Sequence, residues 1–102
     1  MEAYGVKIPA VTTEDYTLYI ERTPWNDVVI HCDFTGKWTK TSKKVFLEDL
    51  DQLCSSFEEP IWAMPFIYDN KMKKFLKICK FQYLTDVTCG DGVRRALHIW
   101  RK

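Results

Sequence analysis

The chain has 102 residues and a mass of 12.1 kDa, which is enough for one compact domain and too little for two. Hydrophobic residues make up 46% of it, charged residues 28%, and glycine and proline number four each, which excludes disordered, collagen-like and repeat architectures. The longest apolar run, residues 61–68, is too short and too proline-broken to cross a bilayer. The first residues lack the pattern of a signal peptide. We therefore expect one soluble, non-secreted domain over residues 1–102 with no membrane segment.

The N-terminal half predicts a hairpin followed by a helix. Residues 1–13 show no periodicity and are expected to form an N-terminal arm. A β-rich run at 17–21 and a β-branched run at 28–34 flank a turn, which favours two antiparallel strands. An amphipathic helix is expected over about residues 43–57, with Thr41 or Ser42 as its N-cap.

The C-terminal half predicts a strand, a short helix and a closing hairpin. A strand is expected over 61–67, with a bulge or a sheet edge at Pro65. A short helix follows Asn70, and strands at 81–87 and 94–100 flank a loop with two glycines. The order β-β-α-β-α-β-β predicts an α+β domain with a mostly antiparallel, mixed sheet.

Charge is distributed unevenly along the chain. Residues 1–36 carry six acids against two bases, and residues 60–102 carry nine Lys or Arg against three acids. The basic half could meet an anionic partner, or the two ends could neutralise each other in the fold. Because the pI is only about 7.6, nucleic acid is the weaker interpretation of this basic half.

Neither the cysteines nor the histidines form a pattern typical of a reactive site. The four cysteines have no CxxC spacing and are interpreted as structural thiols, so neither a metal nor a disulfide is expected. His31 and His98 have the side chain suited to general base catalysis near neutrality, but no Ser, Cys or acid stands close enough in sequence to propose a triad. We interpret both as packing residues and assign no catalytic residue.

A group of lysines crowds the start of the first predicted helix. Hydroxyls and free backbone N–H groups lie beside them, which makes this helix start a candidate anion site formed by Thr41, Ser42, Lys43 and Lys44. CoA phosphates, nucleic-acid phosphates or acidic side chains would suit it, and a solvated lysine loop is the alternative. Exposed tryptophans beside turns are typical of protein interfaces. The candidate interface residues are Trp25, Lys37, Trp38 and Lys40.

The order of elements, with the segment 70–81 after the third strand and the closing Gly-Asp-Gly hairpin, resembles the C-terminal half of the GNAT family of N-acetyltransferases. The resemblance is greatest to small phage-encoded members, some of which are internal or minor virion proteins. It covers about residues 17–102 and implies a scaffold in which the strand ending at Phe34 and the strand ending near Tyr68 separate. It also implies that Asn70 contributes to the acyl-CoA site.

Three positions depart from the family pattern. The acyl-CoA loop should lie at residues 35–42, where Gly36 is the only glycine. The tyrosine that many members use as general acid falls at or near Leu76, and the usual glycine before the next strand is Lys80. We therefore expect a phage protein in the host cytoplasm or the virion that has no cofactor, transfers no acetyl group and binds a virion component or a host protein. The alternative is a working acetyltransferase that uses acetyl-CoA through a non-standard loop.

Overall fold

The computed structural model describes residues 6–36 and 38–101. Its elements in chain order are β1 (Ile8–Thr12), β2 (Tyr16–Arg22), β3 (Val28–Phe34), α1 (Lys40–Ser55), β4 (Ile61–Ala63), α2 (Asn70–Ile78), β5 (Gln82–Thr88) and β6 (Arg94–Trp100). The α+β class and the mixed sheet are confirmed. The order expected from sequence is wrong in one respect, because it lacks β1.

Strand β1 lies within the segment expected to be an arm. It pairs antiparallel with β2 from Ile8↔Ile20 to Thr12↔Thr17, with an irregularity between Pro9 and Val11. Every residue of β1 except Val11 is exposed, so the strand carries no alternation of apolar and polar residues. It is defined by its pairing at the sheet edge, which composition does not reveal.

Across residues 6–36 and 38–101, six strands form one sheet in the order β1-β2-β3-β4-β6-β5, in which only β3 and β4 run parallel. Both helices pack on the same face. Phe46 and Leu50 of α1 and Leu76 of α2 belong to one buried cluster with Leu18 of β2 and Trp100 of β6. The core therefore lies between this sheet face and the two helices.

The largest differences from the predicted boundaries are at the start of α1 and the end of β4. Helix α1 begins three residues early, because the Oγ1 of Thr39, rather than Thr41 or Ser42, accepts the amide of Ser42 over 3.1 Å as N-cap. Strand β4 ends at Ala63, two residues before Pro65. The carbonyl of Pro65 still accepts the amide of Ala96 at 2.8 Å, so the chain continues beside β6.

An aromatic cluster joins the end of β3 to both helices. The Trp38 ring meets Phe34, Phe46 and Phe75 with centroid separations of 4.9, 5.7 and 5.6 Å, each edge to face. Tyr16 contacts Phe46 from the sheet side at 5.0 Å. Trp38 remains 45% exposed, so it covers the outer side of the cluster.

Lys80 follows α2 with a φ of 69°, in the left-handed region. This is the position after a helix where glycine is preferred, because a side chain there costs roughly 1–2 kcal/mol. The amide of Phe81 nevertheless closes the turn by donating to the Leu76 carbonyl at 2.9 Å. A lysine therefore occupies a backbone conformation suited to glycine.

Candidate functional site: a cleft between strands β3 and β4

Strands β3 and β4 are adjacent only where they begin. They pair at Val28↔Ile61 and Val29↔Trp62, after which β3 continues beside β2 and the chain beyond β4 follows β6. The expected separation of these two strands is confirmed. A cavity of about 330 Å³ opens between them.

The cleft is lined from both faces of the sheet. Ile30 and Leu76 contribute from the face that carries the helices, and His31, Asp33 and Arg95 contribute from the opposite face. This is possible because successive strand residues point to opposite faces, and here no neighbouring strand closes the gap. A ligand in the cleft would meet an apolar wall on one side and charged groups on the other.

Two of the ionisable groups beside the cleft, His31 and Arg95, already have partners. His31 Nε2 lies 2.7 Å from Glu21 Oε1. The two terminal nitrogens of Arg95 donate to the Asp91 carboxylate at 3.1 and 2.9 Å, and these bonds hold the pKa of Asp91 at about 2. The Arg95 guanidinium also lies over the Phe66 ring, 5.4 Å from its centroid. These groups are committed to structural contacts.

Cys32 directly follows His31 in sequence, but the two side chains lie on opposite faces of the sheet. Its side chain points toward the helices, whereas His31 points to the opposite face, so the two cannot form a nucleophile–base pair. Burial raises the pKa of the Cys32 thiol to about 12. At neutral pH this group is a protonated thiol, which is a poor nucleophile.

Leu76 fills the position where the resemblance places a general acid. It is buried, lines the cleft and belongs to the core cluster. Its side chain has no proton to donate to a departing thiolate. Leu76→Tyr would supply a hydroxyl proton, but the larger side chain would have to displace core atoms.

The start of α1 carries a carboxylate that sequence analysis missed. The amides of Thr35 and Gly36 donate to the carbonyl of Asp15 at 2.8 and 3.1 Å. The Oγ of Ser42 donates to Asp15 Oδ2 at 3.5 Å. Asp15 stands 27 residues from Ser42 in sequence, so no local pattern could have placed it there. Its carboxylate lies where the candidate anion site was expected.

The remaining candidate cofactor residues lie at the same end of the sheet. Thr41 and Lys44 are exposed in the first turns of α1 and Lys43 is half-buried. Asn70 is the exposed first residue of α2, whose N-cap is Asp69, with Oδ1 accepting the Met72 amide at 3.1 Å. Because α1 follows β3, α2 follows β4 and these two strands are parallel, both helices begin at the carboxyl end of this strand pair. Each helix start thus has a carboxylate beside it.

The candidate interface residues lie before and after strand β3. Trp25 lies before β3 and is 82% exposed, whereas Trp38 and the exposed Lys40 lie after β3. The seven residues of β3 separate the two tryptophans by roughly 20 Å. Lys37 lies outside the described residues. The two tryptophans therefore lie at opposite ends of β3.

Comparisons with known proteins give no relatives: no family model, no curated protein and no solved structure matches the chain. Among the described residues, no helix is long and apolar enough to span a membrane. In the same part of the chain, no group of three or more His, Cys, Asp or Glu side chains could hold a metal ion.

Proposed function

We propose that this protein is a non-catalytic binding protein on a scaffold that resembles the GNAT acetyltransferases, and that its ligand is another protein. Three features support the scaffold: one parallel pair within an otherwise antiparallel sheet, its separation beyond the first two residues, and a helix after each of its strands. The resemblance makes the partner a phage virion component or a host protein.

In this proposal, Asp15 and Leu76 both oppose transferase activity. An acyl-CoA pyrophosphate would approach the start of α1, where the Asp15 carboxylate repels it and where Asp15 also occupies the amides of Thr35 and Gly36. Leu76 supplies no proton at the position of the general acid. Loss of a general acid alone typically reduces a rate by about 100- to 10,000-fold.

The observation that carries the binding function is the exposure of Trp25. An indole that is 82% exposed leaves a large apolar surface in water, and tryptophan is the residue most enriched at the energetic centres of protein interfaces. No aromatic ring among the described residues lies against Trp25. It therefore contributes little to the core and is available to a partner.

The turn that carries Trp25 is well organised. The Asn26 amide donates to the Thr23 carbonyl at 2.8 Å, and the Thr23 amide donates to the Asp27 carbonyl at 3.0 Å. Arg22 Nη1 donates to the Asn26 carbonyl at 3.0 Å. A rigid turn presents the indole without a large ordering cost on binding, which favours affinity.

The charges around this turn indicate the chemistry of the partner. Asp27 and Glu58 are exposed, and Glu59 pairs with Arg22 at 3.2 Å. These three carboxylates outnumber Arg22, which favours a partner with a basic rim around an apolar pocket. Lys40 is exposed at the opposite end of β3, where it would favour an acidic partner.

A photo-crosslinking experiment tests the proposal. Benzoyl-phenylalanine placed at position 25 should crosslink to one partner protein in cells, and the same group at position 68 should not. Tyr68 is the matched control because it is 74% exposed but stacks on Phe66, with centroids 5.3 Å apart. Equal crosslinking at both positions would contradict binding through the Trp25 turn.

The second candidate function is acetyl transfer, and the cleft of about 330 Å³ is the observation that favours it. Calorimetry with acetyl-CoA distinguishes the two. We expect no binding to the native protein, because Asp15 opposes the phosphates. Saturable binding, together with acetylation of an amine substrate, would replace the proposed function by the enzymatic one.

A further inference from the structure

A second concave site lies between α2 and β5. We call it the lysine groove. It has a volume of about 630 Å³ and is lined by Lys73, Lys77, Lys80, Phe81, Gln82, Tyr83, Asp86 and His98. Three lysines and one carboxylate give the groove a positive potential, which favours an anionic ligand.

The lysines differ in how they are used. Lys73 Nζ donates to the carbonyl of Ile67 at 2.9 Å and is held in place. Lys77 and Lys80 take part in no ion pair among residues 6–36 and 38–101. The Asp86 carboxylate accepts the Tyr83 hydroxyl at 2.9 Å. Two ammonium groups are thus available in the groove.

His98 is the polar group at the base of the groove. It is 97% buried, since only 3% of its surface is exposed, and its Nδ1 lies 2.9 Å from the carbonyl of Ala96. A carbonyl only accepts, so Nδ1 carries the proton and donates to it, which leaves Nε2 for a further contact. Within the described residues no hydrogen bond involves Nε2. Every fully buried polar side-chain atom in that part of the chain has a partner, so an unpartnered Nε2 is not fully buried. Nε2 therefore opens into the groove.

Lys80 stands in the groove despite its backbone conformation. Its φ of 69° is one that glycine adopts without strain, yet the residue is lysine. A strained residue whose side chain lines a cavity indicates a use for that side chain. The natural use of an ammonium here is to neutralise an anion beside Lys77.

We propose that the lysine groove binds a nucleoside monophosphate. Lys77 and Lys80 neutralise the phosphate oxygens, and Nε2 of His98 forms a hydrogen bond with a ribose hydroxyl. The Tyr83 ring, which is 52% exposed and contacts His98 at 5.5 Å, offers an aromatic face for a planar base. This site is independent of the binding function proposed for Trp25.

Amide NMR titration of the full chain with adenosine 5′-monophosphate tests the proposal. We expect saturable shifts at residues 77–83 and 98. Lys80→Gly and Lys77→Ala should each weaken binding by about fivefold or more, because each removes one charge-assisted contact. Lys74→Ala is the matched control, since Lys74 is exposed on the same helix and does not line the groove. It should leave the affinity unchanged.

Several results would overturn the assignment. Absence of saturable shifts removes the site, and an equal loss in Lys74→Ala would mean that only general charge attracts the nucleotide. If inorganic phosphate binds as tightly as the nucleotide, the base has no role in binding. If adenosine binds as tightly as the nucleotide, the phosphate has none. Folding does not confound the test, because glycine at position 80 relieves backbone strain.

Discussion

Gly36 lies directly against Asp15. Its amide donates to the Asp15 carbonyl at 3.1 Å, and a Cβ added at Gly36 would lie 2.1 Å from Asp15 Oδ1 and 2.7 Å from Asp15 Cα. The close approach fixes the loop between β3 and α1 onto the turn between β1 and β2. The same contact brings a carboxylate to the start of α1.

Gly36→Ala should therefore destabilise the protein by about 1–3 kcal/mol, because the new methyl group must displace backbone as well as side-chain atoms of Asp15. Urea unfolding measures the change. Gly90→Ala is the control, since nothing lies within 4 Å of a Cβ there. Equal unfolding midpoints for the two variants would show that the loop yields freely.

Trp38→Ala should lower the free energy of unfolding by about 1–2 kcal/mol, which is less than a fully buried tryptophan would lose because this ring is 45% exposed. The loss arises from its contacts with three phenylalanines. Trp25→Ala, at a position without such contacts, should change stability by less than about 0.5 kcal/mol. A larger effect at Trp25 than at Trp38 would reverse the structural roles given to them.

Lys80→Gly should raise the free energy of unfolding by about 1 kcal/mol, because glycine adopts the left-handed conformation without a steric penalty. The same substitution at Lys74, inside α2, should lower it by about 1 kcal/mol. Thermal or urea unfolding of both variants gives the two signs. Destabilisation by Lys80→Gly would mean that the lysine side chain contributes more than its backbone strain costs.

Three thiols should resist alkylation in the folded protein. Burial raises the pKa of Cys32, Cys54 and Cys79 to about 12, so almost none of each is thiolate at pH 8. Cys89 lies in the loop between β5 and β6 and is half-buried. Iodoacetamide followed by mass spectrometry should modify Cys89 first and the others only after denaturant is added. Uniform labelling in native buffer would contradict the buried positions.

The same shifts predict a loss of stability at alkaline pH. A thiol whose pKa is 9.0 when unfolded and about 12 when folded retains its proton in the native state, so its contribution is complete below pH 9 and is lost as the pH rises toward 12. Urea midpoints between pH 8 and 10.5 under reducing conditions measure the slope. Cys54→Ala should reduce that slope, and an unchanged slope would assign the pH dependence to other groups.

Elements with strong local patterns were predictable from the sequence. The β-branched run that forms β3 and the run that forms β6 have the expected bounds, and α1 differs only at its ends. Strand β1 was not predictable, because its exposed residues pair only through backbone groups. The sequence predicts a strand over residues 61–67 because Phe66 and Ile67 are apolar. Strand β4 ends at Ala63, however, and both residues lie beyond its end.

The candidate sites were predictable only in part. The lysines at the start of α1 were evident, but Asp15 reaches them through tertiary structure. Similarly, Lys77 and Lys80 were evident as part of a basic face, whereas their relation to His98 depends on the register of β5 against β6, which shifts between Tyr83 and Thr85. A shift in register changes which side chains are neighbours, and hydrophobic periodicity does not reveal such a shift.

The two-residue pairing of β3 with β4 divides the sheet into halves of three strands each. Within each half most strands meet through long antiparallel ladders, such as the seven paired residues of β2 and β3. Between the halves the described backbone offers only Val28↔Ile61 and Val29↔Trp62. Cohesion across this junction therefore depends on side chains of the helices, and its few amides should exchange with deuterium sooner than those of the β2–β3 ladder. Opening there would separate a hairpin-rich acidic lobe from a basic one while each retained its own hydrogen bonds.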